Sequence, residues 1–582
     1  SSNETGIYNA YEIPVEGGQA IQITNSTENS IFAISYFPND NRILFRGDKG
    51  GNEIWHIYLR EKDGTVRDLT PGEKARSIFY GWSYDERSFF YGSNARDPRY
   101  MDIFEMKIET FTAELIFQND QGLNLGDISD DKLYMALSET HTRDNSDIYL
   151  YDTETQELNL ITPHEGDINH LPETFSVDSK SLYYLSDKDS EFQYLMRYDL
   201  STGESEVVQK DEWDIWYNYF SHSGKYRVIG VNEDARTKIH VYDSVAGDEI
   251  NLPDLPAGDI TSVTISKSEK LMAFYHNGAT SPSNLYVYNF ETEEYKKLTD
   301  TMNPEIDPAN LAEGEVVRYE SFDGLEIPAI YYRPPQASRR NKVPALVWVH
   351  GGPGGQSRVG YRALIQYLVN HGYAILAVNN RGSGGYGKTF QRLDDQKHGE
   401  GDLDDCVAAK DFLFSTGYVA ENKIGIIGGS YGGYMVMAGL AFRPEAFAVG
   451  VNIFGVTNWV RTLESIPPWW EAFRVSLYKE MGNPVTQKDY LRSISPLFHA
   501  DKIVRPVIVL QGANDPRVLQ VESDEIVEAA RSNGVPVEYV VFDDEGHGFV
   551  KKENQIKAYR AILDFLETHL KNSPWRGKAF QK

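Results

Sequence analysis

Three shortages narrow the reading of this chain before any motif is considered. It has one cysteine in 582 residues, Cys406, which excludes an intrachain disulfide and a cysteine-based zinc cluster. Cys406 lies in DLDDCVAAKDFL, a helical pattern in which a small apolar side chain fills core. A disulfide-free fold suits the cytoplasm, but periplasmic and secreted proteins are also built without disulfides, so the compartment stays open. Long apolar runs are missing too. Nothing approaches the roughly 18 unbroken apolar residues of a membrane span, and the opening SSNETG has no secretory apolar stretch. Basic residues are in the minority, 57 Lys and Arg against 86 Asp and Glu, for a formal net charge of −29. Nucleic acid, whose phosphates need a basic face, is excluded as a partner. The acidity reads as a solvated surface, with a field that draws cationic peptides inward as the competing reading.

Up to about residue 300 the chain is also short of helical periodicity. Tyr, Phe, Ile and Val alternate with polar residues, as in half-buried antiparallel strands. An aromatic or Ile followed by a polar turn recurs at Tyr36, Trp82, Ile128, Phe175, Phe220 and Ile265, at spacings of 46, 46, 47, 45 and 45 residues. A second element, starting at Ile54, Asp102, Asp147, Tyr194, Ile239 and Leu285, keeps step with the first. A period in the mid-forties with four strand signals per unit predicts β-propeller blades. The first residues, GIYNAYEIPVEGGQAIQIT, match only the later half of a unit. The expectation is a ring of the seven-bladed type with one blade incomplete, spanning residues 1–312.

TMNPEIDPANLAE, at 301–313, breaks the repeat. From 313 to 582 the grammar is that of an α/β-hydrolase domain with a doubly wound sheet. Buried apolar runs such as ALVWVH, AILAVN, KIGIIG and PVIVLQG alternate with helical stretches.

Gly428-Gly429-Ser430-Tyr431-Gly432 is a G-x-S-x-G element set between a strand and a helix. That sharp turn exposes a serine hydroxyl at the edge of the sheet, and Ser430 is read as the nucleophile. A serine needs a base and an orienting carboxylate. The loops after VIVLQG and VEYVVF supply Asp515 and His547 in the order this fold requires. His499, Asp543 and Asp544 are weaker rivals. Two oxyanion donors are expected, the backbone N–H of Tyr431 and, from the turn after ALVWVH, that of Gly352. This chemistry needs no metal and no organic cofactor.

A propeller followed by a hydrolase domain with His350-Gly-Gly-Pro353, Asn380-Arg-Gly-Ser-Gly-Gly-Tyr-Gly387, Gly428-Gly-Ser-Tyr-Gly-Gly433 and Gly546-His-Gly548 resembles the prolyl oligopeptidase family of serine peptidases. The match is best to its acylaminoacyl-peptidase branch. The resemblance implies a Ser430–Asp515–His547 triad, an acyl-enzyme route, and a propeller that admits only short peptides, N-acylated ones among them. It also implies a substrate-contacting Arg517 and an apolar pocket drawn from Trp459, Trp469, Trp470 and Phe473. Two departures stand out. Asn379 precedes Asn380-Arg381 where relatives have a tyrosine before the arginine. The propeller also lacks the tyrosine-flanked Glu-Glu pair with which dipeptidyl peptidases hold a free amine, because Glu293-Glu294 falls in a blade turn. The competing readings are a carboxylesterase on the same scaffold and a propeller binding module with an inactive hydrolase domain. Homo-oligomerisation stays open.

Overall fold

Six antiparallel sheets follow one another between residues 31 and 297 in the computed structural model, which describes residues 1–256 and 258–572. Each has four strands, except the fifth, which has three (Asp214–Phe220, Tyr226–Glu233 and Arg236–Asp243). The repeated polar turn has one geometry in the second to sixth blades. Glu86, Lys132, Ser179, Gly224 and Glu269 occupy the same place in successive repeats, with φ of 58°, 63°, 55°, 79° and 57°. Each donates its N–H, at 2.8 Å, to the carbonyl of the serine three residues before it. That serine starts the turn, and the left-handed residue reverses the chain into the next strand.

No blade buries its faces alone. Leu44 and Leu59 of the first blade share a core with Phe89 and Met106 of the second, and Leu185 and Leu195 of the fourth pack on Ile215, Ile229 and Val231 of the fifth. Burying five such side chains contributes on the order of 10 kcal/mol before entropic costs. Polar stitches run alongside. The Asp127 carboxylate accepts from the Phe175 N–H of the next blade at 2.7 Å, and Glu173 accepts from the Asn218 N–H of the blade after that at 3.0 Å.

The ring has six blades, which corrects the seven-bladed expectation. The N-terminal half-unit forms a two-stranded sheet, Tyr11–Glu12 with Ile21–Gln22. It touches both ends of the series: Lys296 of the sixth blade donates to the Glu16 carbonyl, and Tyr36 of the first donates to Glu12 at 2.6 Å. With only two strands, it fills the seam between the last and first blades without adding a blade.

The C-terminal half is built on an eight-stranded sheet: β1 (Gly314–Glu320), β2 (Glu326–Tyr332), β3 (Val343–Val349), β4 (Ala374–Val378), β5 (Val419–Gly429), β6 (Gly450–Ile453), β7 (Val507–Gly512) and β8 (Val537–Phe542). Its order is β1-β2-β4-β3-β5-β6-β7-β8, and it is parallel from β4 onward. Alternate residues of β3 feed two separate cores, Ala345, Val347 and Val349 on one face and Leu346 on the other. The loops after β3, β5, β7 and β8 meet at one end of the sheet, beside the propeller.

Candidate active site

Ser430 sits between β5 and the helix Tyr431–Phe442, with φ 58° and ψ −121°. A non-glycine residue stays in this strained region only where its surroundings fix it. Its N–H donates to the Ile453 carbonyl and its carbonyl accepts from the Tyr434 N–H, both at 3.0 Å. The flanking glycines are needed for close approach. A Cβ at Gly428 would lie 2.5 Å from the Gly432 backbone, and one at Gly432 would collide with the Val349 carbonyl.

The β7 and β8 loops complete the arrangement. The Ser430 hydroxyl lies 2.9 Å from His547 Nε2, and His547 Nδ1 lies 2.6 Å from Asp515 Oδ2. A carboxylate only accepts, so Nδ1–H points to Asp515 and Nε2 faces the hydroxyl. The Asp515 side chain is fully buried, and its Oδ1 also accepts the N–H groups of Arg517 and Val518 at 2.9 Å each. The Phe454 ring packs on the imidazole, centroids 4.7 Å apart. Two of the three rivals are engaged elsewhere: His499 packs edge-on against Phe442, and Asp544 pairs with Lys551 and Asn554.

These residues border a cavity of about 640 Å³. Gly352, Tyr431, Trp459, Trp470, Phe473 and Arg517 line it together with Ser430 and His547. Trp469 does not. Its ring lies under the Arg76 guanidinium at 5.6 Å, because the short 3₁₀ turn Pro468–Trp470 points neighbouring indoles in different directions. The Tyr431 ring is buried, which raises its phenol well above the usual range, and it donates to Asp402 at 2.7 Å. That anchors the first residue of the helix. Burial likewise pushes His350 down to about 4, so it is neutral where it meets the Ser383 hydroxyl at 2.7 Å and steadies the glycine turn.

Sequence reasoning missed the propeller's share of the site. Glu53, in the loop before the third strand of the first blade, has φ 59° and pairs through Oε1 with Arg517 Nε at 2.7 Å. Its other oxygen lies 3.6 Å from Arg76. Gly50-Gly51 just before it was the available signal, since a Cβ at Gly51 would strike the Gly546 backbone beside His547.

Residues 26–301 match the N-terminal β-propeller domain of prolyl oligopeptidase, and residues 360–573 match the prolyl oligopeptidase family itself. A dipeptidyl aminopeptidase BIII of Pseudoxanthomonas mexicana is 31% identical over 576 residues, which is 96% of this chain and 83% of that one. The chain belongs to the prolyl oligopeptidase family. It is a serine peptidase. Among solved structures of this fold, puromycin hydrolase superposes with a TM-score of 0.84 at 18% identity, covering 97% of this chain and 91% of the other. The acylaminoacyl peptidase of Pyrococcus horikoshii gives 0.71 at 20% identity, covering 96% and 90%. Among the described residues, no helix is long and apolar enough to cross a membrane.

Proposed function

We propose that this peptidase hydrolyses short peptides through an acyl-enzyme formed on Ser430, in a catalytic domain at 313–582 covered by a propeller at 1–312. The observation that carries the reading is the line Ser430 Oγ–His547–Asp515, with its 2.9 and 2.6 Å separations. His547 Nε2 takes the hydroxyl proton as Oγ attacks the scissile carbonyl, and Asp515 stabilises the imidazolium that forms. The oxyanion is held by the N–H groups of Tyr431 and Gly352. The imidazolium then protonates the leaving amine, and water, activated by the same histidine, releases the acyl group.

Substrate choice follows from the walls. Trp459, Trp470, Phe473 and Leu477 give the cavity an apolar side, suited to a large apolar side chain before the scissile bond. Arg517, aligned by Glu53, faces the chain upstream of that bond and donates to its carbonyls or to an N-terminal acyl oxygen. The propeller over the cavity excludes folded proteins.

A second reading is dipeptidyl aminopeptidase action. The 31% identical relative carries that name, and Glu53 puts a carboxylate beside Arg517, where a free amine would find a partner. A panel of dipeptidyl, N-acetylated and p-nitrophenyl ester substrates separates the readings. N-acetyl peptides turned over faster than free ones support the first. The reverse supports the second. Ester turnover without amide turnover marks a carboxylesterase, and no turnover with no phosphonate labelling marks an inactive hydrolase domain.

A further inference from the structure

Behind Tyr431, on the side away from the cavity, the hydrolase domain buries a second group of ionisable side chains. Asp394, His398 and Glu480 are 1%, 0% and 3% exposed, and one ligand atom from each lies within 4.8 Å of the others. His398 Nδ1 lies 3.6 Å from Asp394 Oδ2 and 2.6 Å from the Tyr431 hydroxyl; that hydroxyl gives its own proton to Asp402, so Nδ1 donates to it and the imidazole atom left for an ion is Nε2, buried with no partner among the described residues. Among the described residues, Asp394 Oδ1 and Glu480 Oε2 are buried without a hydrogen-bond partner, a costly state for a carboxylate oxygen. Gly382 has φ 90° and lies so close that a side chain there would collide with the Asp394 carboxylate.

We propose that Asp394, His398 and Glu480 form a structural site for one divalent first-row transition-metal ion, at the seam between propeller and hydrolase domain. An ion with bonds of about 2.0–2.2 Å keeps its ligand atoms about 3–4.4 Å apart, so the observed spacing needs only a small contraction. One imidazole and two carboxylates suit Zn²⁺ or Mn²⁺ better than Ca²⁺ or Mg²⁺, which prefer oxygen alone. The charges point the same way. Three buried carboxylates, Asp394, Glu480 and the adjacent Asp402, face one guanidinium, that of Arg143, which pairs with Glu480. The excess of two negative charges is what a dication neutralises.

A cavity of about 180 Å³ opens on the Glu480 side, where Asp144, Asp167 and Asp395 line it together with Arg143, Arg392 and Lys479. The position gives the ion a role. Arg143 comes from a turn of the third propeller blade and also donates to the Gly382 carbonyl at 3.0 Å, so an ion on Glu480 braces the contact between the two domains. Through His398 it also steadies Tyr431. The single cysteine rules out thiolate zinc sites and has no bearing on this one.

The test uses the whole protein, dialysed against a strong chelator and titrated calorimetrically with ZnCl₂ and, separately, MnCl₂. The expected result is one equivalent bound with a rise in Tm. Loss of even an outer partner of a metal site weakens binding by about 10–100-fold, so D394N/H398Q should weaken it by about 100-fold or more. A folded wild-type protein that binds neither ion, or a double variant that binds with unchanged affinity, overturns the proposal. Should the double variant not fold, anomalous scattering from Zn²⁺-soaked wild-type crystals decides. A peak among the three side chains supports the site, and peaks elsewhere only, or none, overturn it.

Discussion

Arg517 of the hydrolase domain and Glu53 of the first propeller blade are paired 2.7 Å apart at the wall of the cavity that holds Ser430. Two segments distant in sequence thus share one ion pair beside the cavity. Arg517 is also within 5.3 Å of the Trp470 ring centroid, so its guanidinium is aligned from two sides. Glu53→Gln keeps the shape of the partner and removes its charge. The variant should raise KM for acyl-peptides with little change in kcat, lowering kcat/KM roughly tenfold, about 1.4 kcal/mol. Arg517→Ala should do the same or more. Steady-state kinetics on both variants check this, and an unchanged kcat/KM in Arg517→Ala removes the arginine from substrate recognition.

Asp515 carries no substrate contact in this account and acts through His547. Asp515→Asn preserves shape but favours the wrong imidazole tautomer, and should cut kcat by about 10⁴-fold with KM nearly unchanged. Stopped assays with active-site-titrated enzyme measure the drop. A loss below tenfold would show that another carboxylate orients the histidine.

Phe473 is 39% exposed and borders the cavity, so its removal should cost little stability. Phe473→Ala should reduce turnover of substrates with an aromatic residue before the scissile bond and spare those with alanine there. Ratios of kcat/KM across a matched substrate pair report it.

Glu173 links the fourth blade to the fifth, and burial raises its carboxyl from 4.5 to about 8. Between those values the folded protein holds a proton that the unfolded chain has lost, so the Glu173 contribution falls as pH rises from about 5 to 8. Glu173→Gln retains the acceptor for the Asn218 N–H and cannot ionise. The variant should gain at least about 1 kcal/mol relative to wild type between pH 5 and pH 9. Denaturant unfolding at the two pH values measures the change.

Much of this was legible in the chain. The 45–47-residue spacing marked the blades because the second to sixth copies repeat the same serine-led turn with a left-handed residue, as at Ser83–Glu86 and Ser266–Glu269. Ser430 was legible because only glycine tolerates the contacts around that elbow. Blade number was not, because two strands at Tyr11 and Ile21 read the same in sequence whether they complete a blade or fill a seam. Trp469 and Trp470 were inseparable in sequence, since the direction of a side chain in a tight turn is set by tertiary packing. Glu53 had no signal beyond the Gly50-Gly51 pair before it. Its partner lies 464 residues away, and no local pattern encodes such a pair.

The central claim is that the Ser430 hydroxyl is made nucleophilic by His547. Intact-mass and peptide mapping after treatment with a fluorophosphonate test it most directly. One adduct per chain is expected, on Ser430, abolished by Ser430→Ala and slowed at least about 10³-fold by His547→Ala. A wild-type protein that turns over peptides but takes no adduct at Ser430, or takes it on another residue, would contradict it.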